Sequence, residues 1–138
     1  MPVVLKLIDA RGNPIKGESK VPGHENEIDI VAWSWGVIVP TGAKLNILDI
    51  SIKKSVDLAS PVLLGATAMR ETLVEGVLTV IDRQGATPDF LVLTLKHVVI
   101  ESMAVAEEQF PPVEQIALHF DTMEFSYKGE HVIVSRLP

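Results

Sequence analysis

The chain has 138 residues, a mass of 15.0 kDa and a formal charge of -6, with 47% hydrophobic residues and no cysteine. That length suits one domain spanning residues 1–138, with a core that buries about two-thirds of the surface the unfolded chain would expose. The missing cysteines exclude a disulfide framework and a thiolate site, and the acidic balance without a basic, aromatic-interleaved run excludes nucleic acid as a partner.

The opening "MPVVLKLIDARG" reaches Asp9 and Arg11 too soon for a signal-peptide apolar region or a membrane span. Any export is therefore expected to use another route, with no membrane insertion. Residues 3–10 read as a strand ended by Arg11-Gly12-Asn13-Pro14, and "EIDIVAWSWGVIV" (27–39) reads as one long strand broken by Pro40-Thr41-Gly42. Period two sends Trp33 and Trp35 to one face and Ser34 to the other. "KLNILDISI" (44–52) alternates well and is expected to pair antiparallel with the preceding strand through a tight loop.

"DLASPVLLGATAMRETL" carries the best helix start: Ser60 as N-cap and Pro61 at the first helical position. The expected helix covers 61–70. Its apolar residues Val62, Leu63, Leu64, Ala66, Ala68 and Met69 nearly encircle it, so it needs cover on more than one side, from its own domain or from a neighbouring subunit. Strands resume at 73–82, turn around Arg83-Gln84-Gly85, and continue at 89–103, 113–127 and 131–137, with a last turn at Lys128-Gly129-Glu130. In 113–127 the apolar parity switches from Ile116, Leu118 and Phe120 to Met123, Phe125 and Tyr127. A bulge or a change of sheet near Asp121-Thr122 explains the switch. The class is mainly β: a small barrel or sandwich with one short helix.

No assembled active site is visible. The four histidines, His24, His97, His119 and His131, lack His-x-His or Glu-x-x-His spacing, so local hydrogen bonding accounts for them better than a metal does. Ser34 lacks a Gly-x-Ser-x-Gly elbow, no glycine-rich run cradles a phosphate, and Glu107-Glu108 reads as a solvated turn. Catalytic residues, cofactors and metals are accordingly none. A small metal-dependent barrel enzyme using His97 and His119 stays as the rival from another class.

Four blocks change this picture: "IKGESKVPGHENEIDIVAWSWG", "LDISIKKSVDLASPVLL", "FLVLTLKHVVIESM" and "VEQIALHFDTMEFSY". In this order and spacing they resemble the haemolysin-coregulated protein family, the inner-tube component of bacterial type VI secretion systems, over nearly the whole chain. The resemblance implies a tail-tube-like, two-sheet β-barrel with a helix at its flank near 61–70, and no catalysis. It implies hexameric rings that stack into a hollow tube, fired outward when a contractile sheath shortens. Sheath, baseplate and spike proteins become expected partners, together with small effector proteins carried in the lumen. The protein is then expected in the bacterial cytoplasm before firing and outside the cell, or in a target cell, afterwards.

On that reading Ser34 faces the channel while Trp33 and Trp35 pack inward. The helix, through Leu63, Leu64 and Met69, covers the subunit interface, and Pro40, Thr41 and Gly42 contact the next ring. Many members carry a longer glycine-rich extension where this chain has only "VIVPTGA", and Arg70 stands where a helix-ending glycine is common. A tail-tube-like protein of another contractile particle is the alternative within the same class.

Overall fold

The computed structural model describes residues 2–84 and 88–137, so Gly85 of the expected 83–85 turn lies outside the described residues. Among the described residues the elements are β1 (Val3–Ile8), β2 (Ile28–Ile30), β3 (Ala32–Ser34), β4 (Val37–Ile38), β5 (Asn46–Ile47), β6 (Ile50–Ser55), α1 (Ala59–Ala68), β7 (Thr72–Ile81), β8 (Asp89–Ala106), β9 (Val113–His119), β10 (Thr122–Tyr127) and β11 (Glu130–Ser135). The fold is mainly β with one short helix. Nine strands form one sheet in the order β2-β1-β7-β8-β9-β6-β3, with β10 on β8 and β11 on β10, while β4 and β5 form a separate ribbon.

The 18-residue β8 organises the sheet. Along one edge, Leu91–Lys96 pairs with β10, and further on Val99–Ala106 pairs with β9. The chain passes between these partners at Phe120-Asp121, where the Asp121 N–H donates to the Lys96 carbonyl at 3.0 Å. This corner accounts for the parity switch without a change of sheet, since β9 and β10 both pair with β8 in the same sheet: Leu118 and Phe120 are buried before it and Met123 after it.

Two expectations need correction. The sheet wraps without closing into a hydrogen-bonded barrel: β2 and β3 lie at opposite ends of the strand path and are linked by the chain itself, through Val31, whose N–H donates to Lys53. For the same reason 27–39 is three short strands rather than one, since β2 pairs with β1, β3 with β6 and β4 with β5. Each change of partner ends a strand although the composition stays β-rich.

The helix also starts earlier than expected, at Ala59, and Ser60 does not cap it. Asp57 takes that part, its Oδ1 accepting the Ala59 N–H at 2.9 Å, while Ser60 Oγ accepts the Asp57 N–H. At the other end Arg70 adopts φ 53°, the left-handed conformation usually given to glycine. The Arg70 N–H donates to Thr67 and the Glu71 N–H to Ala66 at 2.9 Å, which is the Schellman arrangement. The helix-ending cap is therefore the ordinary one, built on an arginine.

Candidate functional site

The register of four strands sets two contrasting faces. Trp33 pairs with Ile52, Ile52 with Ile116 and Ile116 with Met103. These side chains meet the core: Ile52 and Ile116 are buried, while Trp33 and Met103 pack against them half-buried. One residue along, the row reads Ser34, Ser51, Ala117, Ser102, and the next on that same face reads Ala32, Lys53, Gln115, Ala104. Small and polar side chains thus cover the outer face across four strands, and all of these except Lys53 and Ala117 are exposed. Period-two alternation produces both faces from one set of strands.

Trp35 continues the inward side. Its indole N–H donates to the Leu48 carbonyl at 2.8 Å, and its ring lies 6.2 Å from that of Phe120. Both tryptophans are half-buried and Ser34 is exposed.

Helix α1 divides just as sharply. Ala59, Leu63 and Ala66 point into the subunit's own core, so Leu63 is not available to a neighbour. Outward stand Leu58, Val62, Leu64 and Met69, with Leu64 57% and Met69 81% exposed. An apolar helix flank this open is unusual for a lone subunit. Pro40, Thr41 and Gly42 occupy the exposed tip between β4 and β5, where Gly42 has φ 74° and the Ala43 N–H donates to Pro40.

The sequence reading missed an ionic knot beneath the helix start. Lys54 is wholly buried, and its Nζ reaches Glu114 Oε1 at 2.5 Å, Asp57 Oδ1 at 2.9 Å and Ser60 Oγ at 3.1 Å. The strand register places Lys54 directly opposite Glu114. Lys54, Asp57 and Ser60 belong to the "KSVDLASP" stretch, so their spacing brings the helix start onto β6. Glu114 is supplied from far along the chain, and no local pattern marks it.

The Gly17-Glu18-Ser19 stretch joins the same region. A Cβ on Gly17 would come within 2.4 Å of the Glu27 carbonyl oxygen, so only glycine fits there. Glu18 Oε2 accepts the Leu58 N–H at 2.8 Å, tying this loop to the start of α1. His24 holds the other side of the loop, with Nδ1 3.0 Å from Glu27 Oε1 and Nε2 2.8 Å from Asp89 Oδ1. Burial alone would lower its pKa, but the hydrogen bonds and charges of Asp89 and Glu27 outweigh that and raise it above 6.5.

The remaining histidines do not converge. His97 Nδ1 lies 3.1 Å from Asp121 and His119 Nδ1 lies 2.9 Å from Asp49, so each is engaged by a different carboxylate. Among the described residues no group of three or more His, Cys, Asp or Glu is placed to hold a metal. Arg136, also missed from sequence, straps the corner after β9 to the end of β5: its guanidinium donates to the carbonyls of Phe120 and Ile47 and stacks 4.6 Å from the Phe120 ring. Among the described residues no helix is long and apolar enough to cross a membrane.

Comparison with known proteins fits this architecture. A family model described as "Type VI secretion system effector, Hcp" matches residues 5–127. Protein hcp1 of Pseudomonas aeruginosa is 29% identical over 130 residues, covering 84% of this chain and 79% of that protein. Hcp1 of the E. coli EAEC 042 pathovar superimposes with a TM-score of 0.91 at 24% identity, over 100% of this chain and 99% of the other. The secreted protein Hcp3 of P. aeruginosa gives a TM-score of 0.81 at 18% identity over 97% of each chain. At these identities the structural likenesses bear on the fold alone, and the family follows from the sequence match. This chain belongs to the Hcp family of type VI secretion proteins, a structural rather than an enzymatic family.

Proposed function

We propose that the protein is the inner-tube subunit of a type VI secretion system. Six copies form a ring, rings stack into a hollow tube, and a contracting sheath on a baseplate expels the tube behind its spike. The observation that carries this reading is the contrast between the small, polar Ser34 face and the open apolar flank of α1. Turned toward a lumen, the Ser34–Ser51–Ala117–Ser102 row gives a smooth wall without bulky side chains, where small effector proteins are held. The outward side chains Leu64 and Met69 form the seam with the next subunit, and their burial contributes about 25 cal/mol per Å² of apolar surface removed from water. The tip at Pro40, Thr41 and Gly42 meets the next ring.

The subunit does no chemistry on this account. It stays in the cytoplasm until firing and reaches the exterior with the expelled tube. Electron microscopy of purified particles provides the test. Annular particles with an open centre support the tube reading, and compact particles without a hole refute it.

A further inference from the structure

The polar face around Ser34 is not flat. Lys53 sits directly opposite Ala32 on one side and Gln115 on the other, and two residues along β6, Ser51 sits opposite Ser34. The small side chains of Ala32, Ser34 and Ser51 leave an open hollow of about 200 Å³ beside the longer Lys53 and Gln115. Sites for whole small molecules run to roughly 300–1,000 Å³, so this hollow has room for a single side chain.

Its electrostatics are one-sided. Lys53 is half-buried and has no ion-pair partner among the described residues. The adjacent Lys54 and Glu114 satisfy each other on the opposite, buried face. The first carboxylates along the chain in either direction are also engaged elsewhere: Asp49 by His119 and Arg136, and Asp57 by Lys54. The hollow therefore offers an uncompensated ammonium, the Gln115 carboxamide and two serine hydroxyls, all able to donate hydrogen bonds. A carboxylate accepts at both of its oxygens, and such charge-assisted bonds are roughly twice as strong as neutral ones.

We propose that this hollow is a carboxylate subsite, which seats an aspartate or glutamate side chain of an acidic partner protein against Lys53 and Gln115. The inference rests on the tube reading for placing that partner in the lumen, and it adds the chemistry by which cargo is chosen. In a ring the subsite recurs once per subunit. Lys53 then forms a belt of cations around the channel, and contacts that are weak singly add up on one cargo. The same belt rejects basic cargo, since like charges brought together are unfavourable.

Fluorescence anisotropy with two labelled peptides tests it, one alternating aspartate with glycine and one alternating lysine with glycine. The parent is compared with Lys53→Met, Lys53→Arg and Lys53→Glu, with a thermal melt and a light-scattering mass for each sample. The expected result is a preference of about tenfold for the aspartate peptide in a ring. Lys53→Met should lose that preference, Lys53→Arg should keep it and Lys53→Glu should reverse it, with melts unchanged. Should Lys53→Met melt early, the Lys53→Arg and Lys53→Glu pair reads the same charge dependence. Equal binding of both peptides by the parent, or a preference that survives in Lys53→Glu, overturns the subsite. So does an oligothymidylate of equal charge bound as tightly as the aspartate peptide, which would show attraction to bare charge instead of carboxylate recognition. Mass separates the subsite from the tube. Particles of one 15.0 kDa chain that keep the preference refute the tube and uphold the subsite, whereas rings indifferent to the aspartate peptide refute the subsite alone.

Discussion

Two rungs of the same strand pair, one register step apart on one face, behave in opposite ways. Ile52 faces Ile116 in an apolar contact, and two residues further Lys54 faces Glu114 in an ionic one. All four side chains are almost wholly buried. Alternation determines that both rungs point inward, but it is silent on how a buried charge is satisfied. The apolar rung needs only shape, whereas the ionic rung needs a carboxylate, a hydroxyl and a helix start brought in from separate parts of the chain.

The largest effect should come from breaking the ionic rung on one side. Lys54→Met leaves Glu114 buried without its cation and should destabilise the fold by about 3–5 kcal/mol in denaturant unfolding. Adding Glu114→Leu should recover most of that loss, because a buried pair replaced by apolar groups of similar volume is often tolerated. A double variant no better than the single would mean that the knot has a part beyond charge compensation, such as fixing the start of α1.

The apolar rung should show no such rescue. Ile116→Ala should lose about 2–5 kcal/mol through lost transfer energy and a cavity, and no polar partner should restore it. Recovery by a second, polar substitution at Ile52 would erase the distinction between the rungs.

A third ionic group, more peripheral, sharpens the comparison through pH. His24 sits between Glu27 and Asp89, and its folded-state pKa is raised above 6.5. A raised pKa means that its contribution is fully present below the unfolded value and is lost as pH rises through the folded one. Thermal stability should therefore decline over that window in the parent and lose this step in His24→Gln. An unchanged pH profile in the variant would show that the imidazole does not act as the charged clamp its contacts describe.

The smallest effect belongs to the opposite face. Ser34→Gln should change stability by no more than about 0.5 kcal/mol; on the proposed tube reading, binding of an effector, read by pull-down, should fall as longer side chains crowd the lumen. Loss of the fold on this substitution would contradict the exposure of Ser34.

These contrasts explain what could be read beforehand. The division of Trp33 and Trp35 from Ser34, the strand break near Asp121, and the single helix all followed from local periodicity and turn chemistry, which the fold keeps. Partner exchange along β2, β3 and β4 did not, because a strand's partner is a tertiary choice and composition alone does not signal it. Ser60 resembled an N-cap, yet its hydroxyl joined the Lys54 knot, and Asp57 met the Ala59 N–H instead. Leu63 and Leu64 look equivalent in sequence, and only packing against β8 sends one inward and leaves the other open. Arg136 had no local signal, since its partners, the Phe120 and Ile47 carbonyls and the Asp49 carboxylate, are distant in the chain.

In the proposed tube, assembly through the open flank of α1 is the step on which ring, lumen and cargo would all depend. Light scattering on the purified protein, with Leu64→Glu alongside, measures it directly. The account predicts a parent particle of six times 15.0 kDa and a folded, single-chain variant, since an unpaired charge buried in the seam is strongly unfavourable. A parent mass of one chain, or a Leu64→Glu particle as large and as stable as the parent, would contradict it.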